Sequence, residues 1–226
     1  MIPFPTDYDD FDPYSSSSSN RIEYEVETSP QTYLNYAIDD IENEKTSRTL
    51  VNSFSNAKRA LHLQVETLAN AFGFKAATNK KRPNFHDYIA YCKNCGVVTP
   101  RILKKLNKVR NAVEHEYYTP NESETEDFID VVELFLAATD RFIFQFPLDY
   151  EFLPGEKLKD NIPDICSIEL KPFSDKITLV VYSKDKHDEN IEDVKSYKKR
   201  ESIEILAGES MYFTWLSFMV EKVYKS

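Results

Sequence analysis

Cysteine is scarce: Cys92, Cys95 and Cys166 are the three in a chain of 226 residues. So few exclude a disulfide framework. With no basic-then-apolar leader at the start, they are expected reduced and buried in a cytoplasmic protein. Cys92-Lys93-Asn94-Cys95 has the spacing of half a zinc site, but the second half is missing from the chain. Long hydrophobic runs are lacking as well. The longest, near residues 142–148 and 211–220, are too short or too interrupted to span a bilayer, so no membrane partner is expected. No cluster of carboxylates or histidines suits a catalytic Mg²⁺ or Zn²⁺, so neither metal nor cofactor is expected. There are four histidines and no internal repeat. Net positive charge is absent too: the formal balance is −10, which taken alone argues against a nucleic-acid binder.

The distribution of charge points the other way. Residues 1–27 hold seven acids and one base, whereas 73–113 hold ten bases and a single acid, Asp87. A basic tract inside an acidic protein is a local electrostatic footprint, and its Lys80, Lys81, Arg82, Arg101, Lys104, Lys105 and Lys108 are the candidate RNA contacts. Residues 1–27 combine acidic positions with the serine run Ser15–Ser19 and lack regular apolar spacing, so they read as a disordered tail. Within it, Ile22, Tyr24 and Val26 alternate with glutamates and would form an added strand if an edge were on offer.

From Ser29-Pro30 the spacing predicts helices. Ser29 caps a first helix to about Lys45, with Tyr33, Leu34, Ala37, Ile38 and Ile41 inward. Leu50, Phe54, Ala57, Leu61, Val65, Leu68 and Phe72 predict a long second helix from Thr46 to Gly73. Asn84 caps a short helix over 85–95, stopped by Gly96. Thr99-Pro100 opens a fourth, with Ile102, Leu106, Val109 and Val113 inward, bounded by Pro120. Ser123-x-x-Glu126 reads as the capping box of a last helix running towards Pro147. Beyond it, 164–170, 176–183 and 202–206 read as strands, and Tyr212, Trp215, Leu216, Met219 and Val223 as a helix covering one sheet face. The expected organisation is a tail over 1–27, a helical bundle over 28–150 and a small α+β unit of unknown role over 151–226. The expected class is mainly α.

Near the end of the fourth helix stand Arg110-Asn111-Ala112-Val113-Glu114-His115-Glu116-Tyr117. Arg stays protonated and forks bidentately onto phosphate; His titrates near neutrality and can take and return a proton. Together they suit phosphodiester chemistry, with Asn111 and Glu114 as supporting orienters. On an unbroken helix, five residues advance about 500°, so the two side chains would point some 140° apart. Either the helix loosens before His115, or two copies complete a shared site. The bland reading is that Arg110 pairs with Glu114 one turn on, and that both Arg110 and His115 complement the helix dipole.

Arg110, Asn111 and His115 over this spacing resemble the motif of the HEPN family: Arg, a polar residue, three to five residues of any type, then His, in an antiparallel helical bundle. Tyr117, two places after His115, is similar to the form found in HEPN toxins partnered by a nucleotidyltransferase-type antitoxin. The likeness covers roughly residues 28–150. It implies a homodimeric, metal-independent endoribonuclease of toxin or defence type. His115 would be the base on a ribose 2'-hydroxyl and Arg110 the stabiliser of phosphorane charge, leaving a 2',3'-cyclic phosphate. It implies Tyr117 as the position an antitoxin modifies. The alternative is a non-catalytic module of the same kind that binds a nucleotide or partner, or only dimerises.

Overall fold

The computed structural model describes residues 5, 10–15, 18–97, 119–154, 165–183 and 198–224. Over these the elements are β1 (Phe11–Ser15), β2 (Ser19–Asn20), α1 (Pro30–Asn43), α2 (Ser47–Ala71), α3 (Phe74–Ala77) and α4 (Phe85–Asn94). There follow α5 (Glu122–Phe144), β3 (Phe146–Pro147), β4 (Asp149–Pro154), β5 (Ile165–Leu170), β6 (Lys176–Ser183), β7 (Lys198–Leu206) and α6 (Ser210–Tyr224).

The helices begin and end for local reasons. Ser29 accepts from the Thr32 amide and Pro30 occupies the first helical position of α1. Thr46 and Thr49 cap α2 reciprocally, and Asn84 with Asp87 does the same for α4. The fifth helix departs from expectation. Asn121, not Ser123, is its cap: the Asn121 side chain accepts from the Glu124 amide at 3.0 Å while Glu124 accepts from the Asn121 amide at 3.0 Å. Asn121-Glu122-Ser123-Glu124 satisfies the same reciprocal geometry expected of Ser123-x-x-Glu126, and starting there gains two residues, about half a turn.

α2 is the axis of the helical layer. Its 25 residues span about 37 Å, with α1, α4 and α5 packed around it. The α2–α5 pair is antiparallel. Lys45, just before α2, bridges to Glu122 and Glu126 at the start of α5, whereas Phe72, just past α2, meets Phe142 near its end. Phe54 stacks on Phe128 between them at 4.2 Å.

The expectation of a mainly α fold is overturned: the fold is mixed α+β, with a five-stranded antiparallel sheet in the order β1-β4-β5-β6-β7. Three of these strands are legible in the sequence. The other two come from the stretch that reads as a tail and from residues 149–154, to which the sequence pattern assigns no element. β1 pairs with β4, Phe11 opposite Pro154 and Asp12 opposite Leu153. Both strands are short and interspersed with acids and prolines, so their local signal is weak and the pairing itself makes the strand. The N-terminal segment is accordingly no free tail where it is described. Phe11 is fully buried, 5.4 Å from Trp215 and 6.1 Å from Phe218. Ile22 is buried too, and its amide donates to the Ile143 carbonyl at 2.8 Å. Ile22 to Val26 form no strand: the inward turn at Ile22 and Tyr24 is made against the end of α5 rather than against a sheet edge.

The core runs without a seam from the helices into the sheet. The Tyr91 and Tyr212 hydroxyls both donate to the Phe72 carbonyl, at 2.8 and 2.7 Å, so α4 and α6 meet on the C-terminal end of α2. Gly73, with φ +87°, leaves room for both α6 and the turn between β5 and β6, because a Cβ there would lie 3.0 Å from the Tyr212 hydroxyl and 2.7 Å from the Ser174 carbonyl oxygen. Gly96, with φ +84°, plays the same part against Ser217 of α6. No helix among the described residues is long and apolar enough to cross a membrane.

Candidate functional site

Arg101, Lys104, Lys105, Lys108, Arg110, Asn111, Glu114, His115 and Tyr117 lie outside the described residues. What is described is their frame. The chain leaves α4 through Val97, which is buried and whose amide donates to the Cys92 carbonyl at 3.0 Å; it returns at Pro120, also buried, directly before the Asn121 cap. α4 packs on α2 beside Val65 and Phe72, whereas α5 begins beside Lys45. The motif segment therefore joins two helices that are both seated on α2, but at opposite halves of it.

Of the candidate RNA contacts, Lys80, Lys81 and Arg82 are described, in the connection between α3 and α4, and all three are exposed. Lys80 is already engaged. Its Nζ lies 2.8 and 2.7 Å from the two Asp87 carboxylate oxygens, and Asp87 also accepts from the Asn84 amide at 2.7 Å. The Asn84 amide first, and Lys80 second, hold the Asp87 carboxyl below its usual range. Lys80 and Asp87 border a cavity of about 310 Å³ whose apolar walls are Phe74, Tyr91 and Phe213. A flat group could stack there, with one cation and one carboxylate at the rim.

The remaining histidine and cysteine candidates have structural surroundings. His62 lies against Phe85 and Tyr88, ring centres 5.7 and 6.0 Å away, with Nε2 3.8 Å from Glu66. Cys92, Cys95 and Cys166 are buried and free. Burial pushes the Cys92 thiol up to about 12 and Cys95 well above its ordinary range, so both stay protonated thiols. Among the described residues no three of His, Cys, Asp and Glu converge as a metal site.

Sequence reasoning passes over a second polar region. Gln64, Thr67 and Asn70 recur at three-residue intervals along α2 and are all buried. Gln64 is satisfied: its amide nitrogen donates to Thr139 and Asp140 at 3.0 and 3.2 Å, and its oxygen accepts from Tyr24 at 2.7 Å. Burial, and then the Asp140 charge, raise the Tyr24 hydroxyl. Asn70 is different, because its Oδ1 is buried with no hydrogen-bond partner among the described residues. The signal in the sequence is three polar residues recurring at three-residue intervals near the C-terminal end of an amphipathic helix.

No family model, no curated protein and no solved structure matches this chain.

Proposed function

We propose that the protein is a HEPN-like, metal-independent endoribonuclease acting on RNA as a homodimer. The observation that carries this reading is the spacing Arg110-Asn111, His115, Tyr117 in the one segment of sequence that joins α4 to α5, two helices packed on α2. His115 would take the proton from a ribose 2'-hydroxyl, the 2'-oxygen would attack the adjacent phosphorus, and the 5'-oxygen would leave. Arg110 would stabilise the equatorial oxygens of the phosphorane. Asn111 and Glu114 would orient the pair, and Lys81 and Arg82, both exposed, would extend an RNA path begun by Arg101, Lys104, Lys105 and Lys108. Tyr117 would be the regulatory position: a phosphate ester there would compete for Arg110 and repel RNA.

The test is cleavage of RNA by purified full-length protein in chelator. The wild type is expected to leave 2',3'-cyclic phosphate ends, and His115→Ala or Arg110→Ala to lower the rate by about 10²- to 10⁴-fold. Dependence on an added divalent ion, or an unimpaired His115→Ala protein, would overturn the reading. One observation favours a non-catalytic partner-binding module as the second reading: the described cavities are edged by carboxylates, and Lys80 is neutralised by Asp87.

A further inference from the structure

α5 turns Phe128, Val132 and Phe135 into the core, and the side opposite them is not uniformly polar. Asp127, Asp130, Leu134, Ala137, Arg141 and Phe144 stand there in one line, all exposed. Their spacing alternates between three and four residues, the period of a seam along which two helices interlock. Leu134, in the middle of the line, is 69 % exposed, more than any other large apolar side chain among the described residues, and Phe144 at its end is 49 % exposed. A helix face that meets only water ordinarily carries polar residues at such positions.

The charge on this side of α5 is unevenly placed. Its N-terminal half carries Asp127 and Asp130, flanked by Glu126 and Glu133, and its C-terminal half carries Arg141. Glu126 is held by Lys45 at 3.2 Å, whereas the other three acids form no ion pair among the described residues. A second copy of the helix laid parallel would set acid against acid. Laid antiparallel, the same face complements itself, acid half on basic half, as a two-fold contact requires.

We propose that this face of α5 binds the α5 of a second copy, antiparallel, about a two-fold axis at the level of residues 135 and 136. In that register Leu134 of each copy lies over Ala137 of the other, a large side chain in the space that a small one leaves. Asp130 of each copy faces Arg141 of the other, and every contact occurs twice. The line from Asp127 to Phe144 spans about 26 Å, so the pair belongs to the small, readily dissociating class of interface. The two Asn121 caps lie roughly 40 Å apart, at opposite ends of the pair. This contact by itself therefore forms no cleft shared between the two motif segments. It goes beyond the nuclease reading and draws on none of the residues which that reading uses.

The experiment is sedimentation of the full chain over about 1 to 300 µM, with variants confined to the exposed line. The wild type is expected to pass from monomer to dimer with Kd on the order of 10 µM, and to dimerise more weakly at high salt. Leu134→Glu should raise Kd at least about tenfold and leave the thermal midpoint of the dilute protein unchanged, because the residue it replaces is exposed. Asp130→Arg or Arg141→Asp alone should weaken the pair, and both changes in one chain should restore it, a rescue that a merely structural role for either residue would not give. Mixing the Leu134→Cys and Ala137→Cys proteins under mild oxidation should yield chiefly the mixed disulfide dimer, since each position meets the other across the axis. The native cysteines are buried and stay out of that reaction. A wild type that remains monomeric throughout, or a dimer untouched by Leu134→Glu and by the charge reversals, would overturn the contact. The second outcome would move the homodimer to another surface, and cleavage in chelator tests the nuclease reading separately, so each can fail without the other.

Discussion

At the scale of single residues, the Phe72 carbonyl shows how buried polar groups tie this molecule together. It takes two tyrosine hydroxyls where one would satisfy it. Removing one should therefore cost only that bond, about 0.5–1.5 kcal/mol, for Tyr91→Phe or Tyr212→Phe alone. Removing both leaves the carbonyl bare, so the double variant should lose more than the sum, read from denaturant midpoints. Burial raises both hydroxyls above their ordinary value of 10.0, as it does those of Tyr24 and Tyr88. For a tyrosine held neutral in the fold, the unfolded state loses its proton first as pH rises. The stability is thus fully present below pH 10 and falls above it. Unfolding midpoints should be flat from neutrality to about pH 9 and drop beyond pH 10. The absorbance of these four tyrosinates should appear with unfolding rather than ahead of it; a titration complete in the native protein would contradict the burial. Trp215 offers the opposite case. Its Nε1 is buried with no hydrogen-bond partner among the described residues, so Trp215→Phe removes an unsatisfied donor along with some packing, and should cost less than the 3–5 kcal/mol typical of truncating a large buried aromatic to alanine.

At the scale of elements, what is legible in the sequence has a local cause. Ser29 and Asn84 are readable as caps and Thr46 as a helix start, and the three-four spacing of α2 and the β-branched run of β6 are unmistakable, because each signal lies within one turn or one strand. The errors are informative in the same terms. The start of α5 is misplaced by pattern alone because Asn121 and Ser123 both have an acid three residues on, and only the fold decides between them. Asn121→Ala should destabilise by about 1 kcal/mol, whereas Ser123→Ala should stay within about 0.5 kcal/mol of wild type. The reverse order in thermal or chemical denaturation would make Ser123 the cap. β4 escapes notice although Leu148, Tyr150 and Phe152 alternate with Asp149 and Glu151, since Pro147 and Pro154 fence the stretch and β1, one of its two partners, is more than 130 residues distant. Of the candidate site, the basic connection at Lys80–Arg82 is visible in the sequence, but its ion pair with Asp87 is not, because the α4 cap that positions Asp87 is what brings it to Lys80.

At the scale of the whole molecule, the division of the chain at residue 150 leaves no mark on the packing. The Phe72 carbonyl at the end of α2 accepts from the Tyr212 hydroxyl of α6 at 2.7 Å, Tyr91 of α4 meets Phe213 of α6 at 5.2 Å, and Gly96 abuts Ser217. The N-terminal segment then closes the assembly from outside: Phe11 completes an aromatic cluster with Phe152, Trp215 and Phe218, although more than 130 residues separate it from each in sequence. Two units folding independently would each need a core of their own and would meet across a polar interface. Here the interface is itself the core, so loosening either side exposes apolar surface on the other. The expected outcome is one cooperative thermal transition, with calorimetric and van't Hoff enthalpies equal, and a common denaturant midpoint for the signals of helix and of Trp215. Phe11→Ala should lower that single midpoint by the equivalent of about 3–5 kcal/mol without splitting it, the behaviour of a keystone rather than of a tail. A residue 1–15 deletion should act likewise. Two resolved transitions, or a deletion without effect on stability, would return the first residues to the status of an appendage and the sheet to that of a separate unit.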